Sequence, residues 1–370
     1  MPNDTRKIET LHRRIVSEVP HPEDSKLSQV LSNQEPRGFG GQTEVVWDKA
    51  EGVYIFDRHG NQWIDFTSGI LVANAGHGTA ASVLALETAV TAPLHHTYIF
   101  KNRYRAELVD YLLTHCAPPY LDKVALLTTG SEANECALKI CRHYAHHGNA
   151  DDTKDIVISM QGAYHGRTMG SQMAGGSPVL KQWIRHPDPG LVNVAAPESD
   201  ADGATAFSIF VEELTEKQIK PDQIAGILIE TYPGWKACLY PKFYIQRIRD
   251  FCDEHQILLI FDEVQAGFGR CGKMWGFEHY DVEADMIVCG KGISSGLPVS
   301  AVIGRAQWMD LFPPGTLTST HLGNPLGCAA ALANLKQIVE GGLAQKAAAL
   351  GVVLAQWLAD QKKKHQGRIG

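Results

Sequence analysis

The 370-residue sequence lacks the excess of positive charge that is typical of proteins that bind nucleic acids or anionic membranes. It contains 34 basic and 41 acidic residues, which give a formal net charge of -7. This balance offers no electrostatic reason to expect either partner. The remaining composition, with 44% hydrophobic and 20% charged residues, is typical of a globular protein.

Long apolar runs are also missing. Residues 1–20 are charged throughout, without the apolar segment that a signal peptide requires, and no later run reaches the length of a membrane span. We therefore expect a cytoplasmic protein. The eight cysteines form no Cys-x-x-Cys pair, and several lie in apolar segments. They indicate reduced core thiols rather than disulfides, and no metal site.

The length exceeds what one hydrophobic core usually organises, which predicts a large domain with a smaller companion. Residues 1–70 combine a polar arm with short β-prone runs, such as Val45-Val46-Trp47 and Val53-Tyr54-Ile55-Phe56, separated by turn residues. These runs predict an antiparallel meander, which we assign to the small domain.

Strand-like and helix-like segments alternate through residues 71–305. This alternation predicts an α/β fold with a mainly parallel central sheet covered by helices, and we assign these residues to the large domain. Residues 306–370 indicate helices, and 343–358 carry one apolar face. They predict the start of a C-terminal part of the small α+β domain. We expect this part to be incomplete and the apolar face to be exposed.

The most informative stretch is an apolar run that ends in two carboxylates. Residues 257–261 suit a strand buried on both faces of a parallel sheet, and Asp262 and Glu263 follow directly. Open α/β sheets keep their ligands at such strand ends. A second apolar run, 286–289, leads to Lys291 between two glycines. An acid and a lysine delivered to one sheet edge predict a pyridoxal phosphate site.

Two loops supply further candidate groups. Gly130 and Ser131 join a predicted strand to a predicted helix, where free backbone amides can bind a phosphate. The same turn is as often only a helix cap. Tyr164, on a loop of small residues, could lie flat against a planar cofactor, although a buried tyrosine that fills the loop is the more common case.

A nucleotide hydrolase is an alternative that the sequence disfavours. The acidic strand end and residues 267–273, Gly-Phe-Gly-Arg-Cys-Gly-Lys, resemble a magnesium-holding strand and a phosphate-binding loop. However, Met274 stands where the magnesium-binding Ser or Thr is needed. The loop also follows the acidic strand instead of preceding it, and no helical pattern begins there.

Taken together, these segments resemble the class III aminotransferases, which are pyridoxal phosphate enzymes of fold type I. The resemblance extends from about residue 51 to about residue 358, and the order and spacing of the motifs agree with the family. The motifs that carry it lie at 69–78, 129–135, 164–167, 261–272, 290–298 and 319–325.

The resemblance implies roles for the acid and the lysine. Lys291 would hold the cofactor as a Schiff base and move the proton of the substrate carbon. Asp262 would pair with the pyridine nitrogen and keep it protonated, and Gln265 would reach the ring hydroxyl. Each role suits the chemistry of its residue type.

The resemblance also assigns the remaining cofactor contacts. Tyr164 would stack on the ring, and His165 beside it is included among the cofactor-binding residues. Gly130 and Ser131 would bind the phosphate. Thr320 would contact the phosphate of a neighbouring subunit, so the resemblance implies a homodimer.

The substrate side departs from the family pattern. Glu230 matches a family acid, but the bulky Tyr232 and Trp235 follow it where the family often has a proline and a glycine-rich segment. An apolar or aromatic wall is therefore our hypothesis for this side. Relatives also continue beyond Gly370 and supply an arginine for the substrate carboxylate. The candidate substrate residues are Ile70, Val72, Tyr98 and Glu230.

The implied activity is transamination, in which an amine or amino acid gives its amino group to an oxo acid or aldehyde. The same type of site also supports racemisation, epimerisation and decarboxylation, and this choice stays open. A degenerate, non-catalytic pyridoxal phosphate-binding protein is a further alternative, suggested by the incomplete C-terminal part. We expect small-molecule partners, and neither nucleic acid nor a membrane.

Overall fold

The structure is a computed structural model that describes residues 7–41, 43–92, 94–147 and 153–365. Its strands form two separate sheets. The strands are β1 (Ile8–Glu9), β2 (Arg14–Ile15), β3 (Lys49–Glu51), β4 (Tyr54–Phe56), β5 (Gln62–Ile64), β6 (Lys123–Leu127), β7 (Ile156–Met160), β8 (Leu191–Val194), β9 (Ile224–Glu230), β10 (Leu258–Asp262), β11 (Met286–Cys289) and β12 (Ser300–Gly304).

Helices cover the larger sheet and form the C-terminal part. They are α1 (Pro22–Gln34), α2 (Ser68–Leu71), α3 (Ala80–Thr91), α4 (Arg103–Tyr111), α5 (Gly130–His146), α6 (Met169–Ala174), α7 (Pro178–Lys181), α8 (Gly203–Glu216), α9 (Lys242–His255), α10 (Ala306–Met309), α11 (Pro325–Glu340) and α12 (Leu343–Lys364). A π-helical turn, Leu112–Cys116, follows α4.

The larger sheet has the strand order β6-β12-β11-β10-β9-β7-β8. Strand β12 runs antiparallel to both of its neighbours, whereas the other six strands are parallel to one another. The predicted α/β fold with a mainly parallel sheet is therefore confirmed. The carboxyl ends of β7, β9, β10 and β11 meet at one edge, because parallel strands end on the same side.

The central strands are mostly apolar because both faces of the sheet are covered. Every residue of β9, β10, β11 and β12 is buried. Alternate side chains enter different cores: Phe261 packs with one cluster and Ile260 with the other. This two-residue period of a strand explains why the runs read as continuously hydrophobic.

The smaller, N-terminal sheet has the order β1-β2-β5-β4-β3 and is antiparallel throughout. The predicted meander is confirmed, but the strand expected at Val45-Val46-Trp47 is wrong, because β3 begins at Lys49. Glu51 pairs with Tyr54 across the turn. A tight turn sets the register of the strands beside it, so the pairing residues are those next to Gly52, despite their lower β propensity.

Helix α2 is a single turn with a left-handed backbone. Its four residues have φ between 53° and 66°, a conformation that costs about 1–2 kcal/mol for each residue with a Cβ. Asp65 supports the turn, because its carboxylate accepts hydrogen bonds from the amides of Thr67 and Gly69 and lies 2.8 Å from His77 Nε2. Burial alone would raise the pKa of Asp65, but a hydrogen bond from the Thr67 hydroxyl, together with these contacts, lowers it to about 2.

The C-terminal part consists of α10 to α12, and residues 366–370 lie outside the described part. Six large apolar side chains of α12 are between 46% and 72% exposed: Leu350, Val352, Val353, Leu354, Trp357 and Leu358. The domain boundaries at 70 and 305 stay a prediction. In the described residues, no single helix has the length and apolar character of a membrane span; α11 and α12 reach both only as a pair bent by 60°.

Candidate active site

A cavity of about 160 Å³ lies at the carboxyl edge of the large sheet. Its walls come from the segments that follow β6, β7, β9, β10 and β11, which is where the sequence places a ligand. The lining residues are Gly130, Ser131, Asn134, Tyr164, His165, Gly166, Glu230, Asp262, Val264, Gln265 and Lys291.

Three larger clefts, of about 600, 460 and 370 Å³, lie elsewhere in the described residues. The first is lined by charged side chains that already pair with one another, such as Arg249 with Asp285. The second lies between α1 and the segment that follows it. Neither of these two is lined by a lysine, and in the third the Lys273 Nζ donates to the Glu278 carbonyl at 2.7 Å. The small cavity is lined by both Asp262 and Lys291, so it is the one that suits the predicted chemistry.

Asp262 is held in the cavity wall by three contacts. It ends β10 and is 3% exposed. Its Oδ2 accepts a hydrogen bond from Asn134 Nδ2 at 2.9 Å and lies 2.8 Å from His165 Nδ1, while Oδ1 accepts from the Val264 amide at 3.0 Å. These contacts hold the carboxylate in one orientation.

Lys291 follows β11 and reaches the same cavity. Its backbone is left-handed, with φ of 40°. Burial lowers the pKa of its amine, the charges of Asp262 and Glu230 raise it, and the positive charge of Arg270 lowers it again; the net shift is downward. A lowered pKa increases the fraction of neutral, nucleophilic amine at a given pH.

Glu230 ends β9 and lies beside these two groups. Its carboxylate accepts a hydrogen bond from the Tyr164 amide at 2.9 Å and a longer one from the Gly234 amide at 3.5 Å. Burial raises its pKa to about 7, with Asp262 adding in the same direction and His165 opposing. Glu230 therefore offers an acid that exchanges a proton near neutral pH.

Glu263, the second carboxylate of the predicted pair, points away from the cavity. It accepts hydrogen bonds from Thr231 Oγ1 at 2.9 Å and from the amides of Gly276 and Phe277 at 2.8 Å. Burial raises its pKa to about 7. Since successive strand residues face opposite sides, only one of the two adjacent acids can reach the ligand.

The start of α5 forms another wall. Thr129 caps the helix in a capping box with Glu132, so the cap that we considered as an alternative is present. Gly130 and Ser131 follow it and line the cavity, and a Cβ on Gly130 would stand 2.9 Å from Val264. The first helical amides are free to bind an anion, so cap and phosphate site coexist here.

Tyr164 lines the cavity and is 45% exposed. It is therefore not the buried tyrosine that was the alternative. His165 behind it is fully buried against Asp262. The Arg167 guanidinium lies 5.6 Å from the centre of the Tyr164 ring, and among the described residues it forms no ion pair.

The remaining predicted residues do not line this cavity. Ile70 is 67% exposed on the left-handed turn α2, and Val72 is half-buried just after it. Tyr98 is 37% exposed, and its hydroxyl lies 3.4 Å from Thr318 Oγ1. Thr320 is exposed. Their roles stay predictions.

The two bulky residues after Glu230 also lie outside the cavity lining. The Tyr232 hydroxyl donates to the Ala237 carbonyl at 2.7 Å. A Cβ on Gly162 would overlap the ring of Trp235, so this ring packs on the loop that carries Tyr164. Gly234 lies against the Gln265 amide in the same way.

Sequence reasoning missed Asn134, which contacts three parts of the site. Its Nδ2 lies within 3.1 Å of the Gly130 carbonyl, the His165 carbonyl and Asp262 Oδ2. A polar residue on the buried face of a predicted helix is the one signal that could have identified it. Asn134 Oδ1 and His165 Nε2 are buried without a hydrogen-bond partner among the described residues, so both keep bonding capacity at the site.

The donor set fits pyridoxal phosphate. Lys291 offers a desolvated amine for the aldehyde and Asp262 a fixed carboxylate for the pyridine nitrogen. Gln265 offers an amide for the ring hydroxyl, and Gly130 and Ser131 offer helix amides for the phosphate.

Comparisons with known proteins point the same way. The family model described as aminotransferase class-III matches residues 39–369. The chain is 32% identical to the acetylornithine aminotransferase of Synechocystis over 338 residues, which is 88% of this chain and 73% of that relative. It is 35% identical to the 5-aminovalerate aminotransferase of Pseudomonas aeruginosa over 337 residues, which is 90% and 77% of the two chains.

A solved structure shares the fold. The taurine:2-oxoglutarate aminotransferase of Bifidobacterium kashiwanohense, in complex with pyridoxal phosphate and glutamate, matches with a TM-score of 0.83 at 25% identity. The match covers 97% of this chain and 80% of that chain.

Proposed function

The chain belongs to the class III aminotransferases, pyridoxal phosphate-dependent enzymes of fold type I, and we propose that Lys291 and Asp262 carry its reaction. An amine donor and an oxo-acid acceptor are its substrates. One observation carries the assignment of residues: a desolvated amine and a fixed carboxylate lie at the carboxyl ends of adjacent strands and line one cavity.

When bound, pyridoxal phosphate supplies a carbonyl that takes up the amino group and a ring that withdraws electrons. Asp262 would hold the proton at the ring nitrogen, because Asn134 and His165 keep its carboxylate from turning away. Lys291 would attach the cofactor through its neutral Nζ. Once the donor has displaced it, the same Nζ would take the proton from the amine-bearing carbon.

Arg167 supports a more specific proposal for the donor. Acetylornithine and 5-aminovalerate, the substrates named for two relatives, are amines that also carry a carboxylate. The Arg167 guanidinium is exposed beside Tyr164 and is unpaired among the described residues. We propose that it binds the donor carboxylate. Arg167→Gln should then raise KM for such donors about tenfold or more and leave KM for a simple amine unchanged.

A homodimer is the second part of the proposal. Tyr98, Ile99 and Phe100 expose between 37% and 72% of their surface, and apolar patches of this kind are typical of interfaces. Thr320 is exposed outside its own cavity, where it could contact a neighbouring subunit's phosphate. Thr320→Ala should weaken cofactor retention without changing the molar mass measured by light scattering. A monomer with full retention would contradict this part.

Location is the third part. All eight cysteines are free, and six of them are buried as core residues. Free thiols are usual in reducing compartments, which supports the cytoplasmic location that we propose.

The decisive experiment follows the first half-reaction. The purified chain is loaded with pyridoxal phosphate, and the attached lysine is identified by borohydride reduction and peptide mass spectrometry. A panel of amines, with and without a carboxylate, is then added without an acceptor. We expect one equivalent of oxo product per site and, after 2-oxoglutarate is added, one equivalent of glutamate.

The alternatives predict different products. A racemase would return the enantiomer of the donor, and a decarboxylase would release carbon dioxide. A non-catalytic binding protein would keep its cofactor unchanged with every amine. Any of these results in place of the oxo product would contradict transamination by this chain.

A further inference from the structure

Among the residues that the structure describes, Arg270 is a partly buried cation without a partner of opposite charge. Its Nη2 donates to Asn74 Oδ1 and, at 3.3 Å, to Ser68 Oγ, both of which are neutral acceptors. Its Nε is buried with no acceptor among the described residues. Arg249, by contrast, is only 12% exposed and pairs with two aspartates. Burying an uncompensated charge is costly, so the position of Arg270 calls for a reason.

Asn74 connects Arg270 to the loop that carries Lys291. Its Nδ2 donates to the Gly267 and Phe268 carbonyls at 3.2 and 3.0 Å. A Cβ on Gly292 would overlap this same amide. Asn74 therefore stands directly against the residue that follows Lys291, and its orientation is set by acceptors on one side and by Arg270 on the other.

A second asparagine supports the same loop. Asn334 is fully buried, and its Nδ2 donates to the Gly292 and Ile293 carbonyls at 2.8 and 3.0 Å. The loop needs such support because Lys291 has a left-handed backbone, which is unfavourable for a residue with a Cβ. Removing either asparagine contact would let the backbone relax towards an ordinary conformation.

We propose that Arg270 is a positioning residue for Lys291, which fixes Asn74 against the lysine loop and places an uncompensated positive charge near the lysine amine. The charged groups that act on this amine are Asp262, Glu230 and Arg270. The two acids raise the pKa of Lys291, whereas Arg270 lowers it together with burial. The inference rests on the proposed function, because it takes Lys291 as the point of cofactor attachment.

The first test measures the effect of the Arg270 charge separately from the effect of its side-chain shape. The rate at which pyridoxal phosphate attaches to the cofactor-free protein is followed by absorbance as a function of pH, for wild type, Arg270→Gln and Arg270→Lys. Removing the cation should make the amine more basic and move the midpoint up by about 0.5 pH unit, which is about a threefold slower attachment below the midpoint. Arg270→Lys should keep the wild-type midpoint.

The second test addresses the support of the loop. Asn74→Ala and Arg270→Lys keep the positive charge but weaken the contact with Gly292. Both should lose bound cofactor several times faster than wild type on dialysis, with an unchanged midpoint. Arg247→Gln is the matched control, because Arg247 pairs with Asp250 on the surface of α9 and should behave as wild type in both measurements.

Two results would overturn the inference. One is an Arg270→Gln midpoint equal to that of the Arg247→Gln control. If Arg270→Gln does not fold, wild-type cofactor retention in both Asn74→Ala and Arg270→Lys would overturn it instead. A wild-type protein that attaches the cofactor at a lysine other than Lys291 would contradict the proposed function, so the two failures are distinguishable.

Discussion

The edge of the large sheet and the N-terminal turn α2 differ in how they hold the predicted site residues and in whether those residues line the cavity. At the sheet edge, Asp262 and Lys291 face one cavity within a single chain, at the ends of buried and paired strands. Around α2, Ile70 and Val72 lie outside that cavity, on a left-handed turn held by side-chain contacts to Asp65.

This difference separates two kinds of positioning. Backbone pairing sets the groups that we assign to the reaction, so their distance depends on the core of the fold. Side-chain hydrogen bonds and surface packing set Ile70 and Val72, which we assign to the substrate side. Substitutions at the sheet edge should therefore affect the chemistry, and substitutions near α2 should affect selectivity.

Lys291→Ala should have the largest effect. Without its Nζ, attachment of the cofactor should be lost and turnover should fall about a thousandfold or more. The matched control is Lys181→Ala, because Lys181 is also partly buried with a lowered pKa but bonds to Met173 O and Asn193 Oδ1 away from the cavity. If borohydride trapped the cofactor at a different lysine in the active wild type, Lys291 would not be the attachment point, and the contrast between the sheet edge and α2 would be wrong.

Asp262→Asn should come next. The amide keeps the shape of the carboxylate but cannot hold a positive charge at the ring nitrogen, so single-turnover rates should fall about a hundredfold or more. Glu263→Gln changes the neighbouring acid, which points away from the cavity, and its rate should stay within a few-fold of wild type. Similar losses in both variants would show that orientation along the strand does not decide the roles.

Glu263 should instead affect the pH dependence of stability. Burial raises its pKa from 4.5 to about 7 in the folded protein. The protonated carboxyl therefore adds its full stabilisation to the free energy of unfolding below pH 4.5, and this stabilisation is lost as the pH rises through 7. Glu263→Gln should reduce the decline in unfolding free energy between pH 5 and 8 by about 1–3 kcal/mol. Urea unfolding at both pH values measures this. The exposed Glu216→Gln should keep the wild-type decline, and a parallel decline in Glu263→Gln would contradict the expectation.

Ile70→Ala should have the smallest effect. Its side chain is 67% exposed, so truncation removes little buried contact and should leave cofactor attachment unchanged. We expect KM for individual donors to change less than about fivefold. Leu84→Ala, which is 64% exposed on α3, is the control and should change neither quantity. A large loss of cofactor attachment in Ile70→Ala would show that α2 supports the cofactor site and not only the choice of donor.

The sequence predicts the sheet edge well because buried parallel strands have a local signature. The run at 257–261 corresponds to β10 at Leu258–Asp262, and the run at 286–289 corresponds to β11. Strand β12 has only three apolar residues between Ser300 and Gly304, and no such run marks it. Its place between β6 and β11 results from long-range pairing.

The contacts around Asp262 were beyond sequence reasoning for a similar reason. Asn134 lies 128 positions before Asp262, and nothing in its own helix indicates the partner. Arg270 appeared only as part of a loop that resembled a phosphate-binding motif. Whether an acid of the described part of the chain pairs with Arg270 depends on which acids the fold brings near, and a linear pattern does not contain that information.

The pairing of β10 with β11 has an evolutionary consequence. Asp262 lies opposite Val288 in the parallel register, and Lys291 follows three residues later. A shift by one residue would turn Asp262 to the opposite face of the sheet, so the acid and the lysine can only be inherited together with the sheet. The loops that carry Tyr232 and Trp235 are under no such constraint. Mutations of Tyr232 or Trp235 therefore leave the register that holds the acid next to the lysine unchanged.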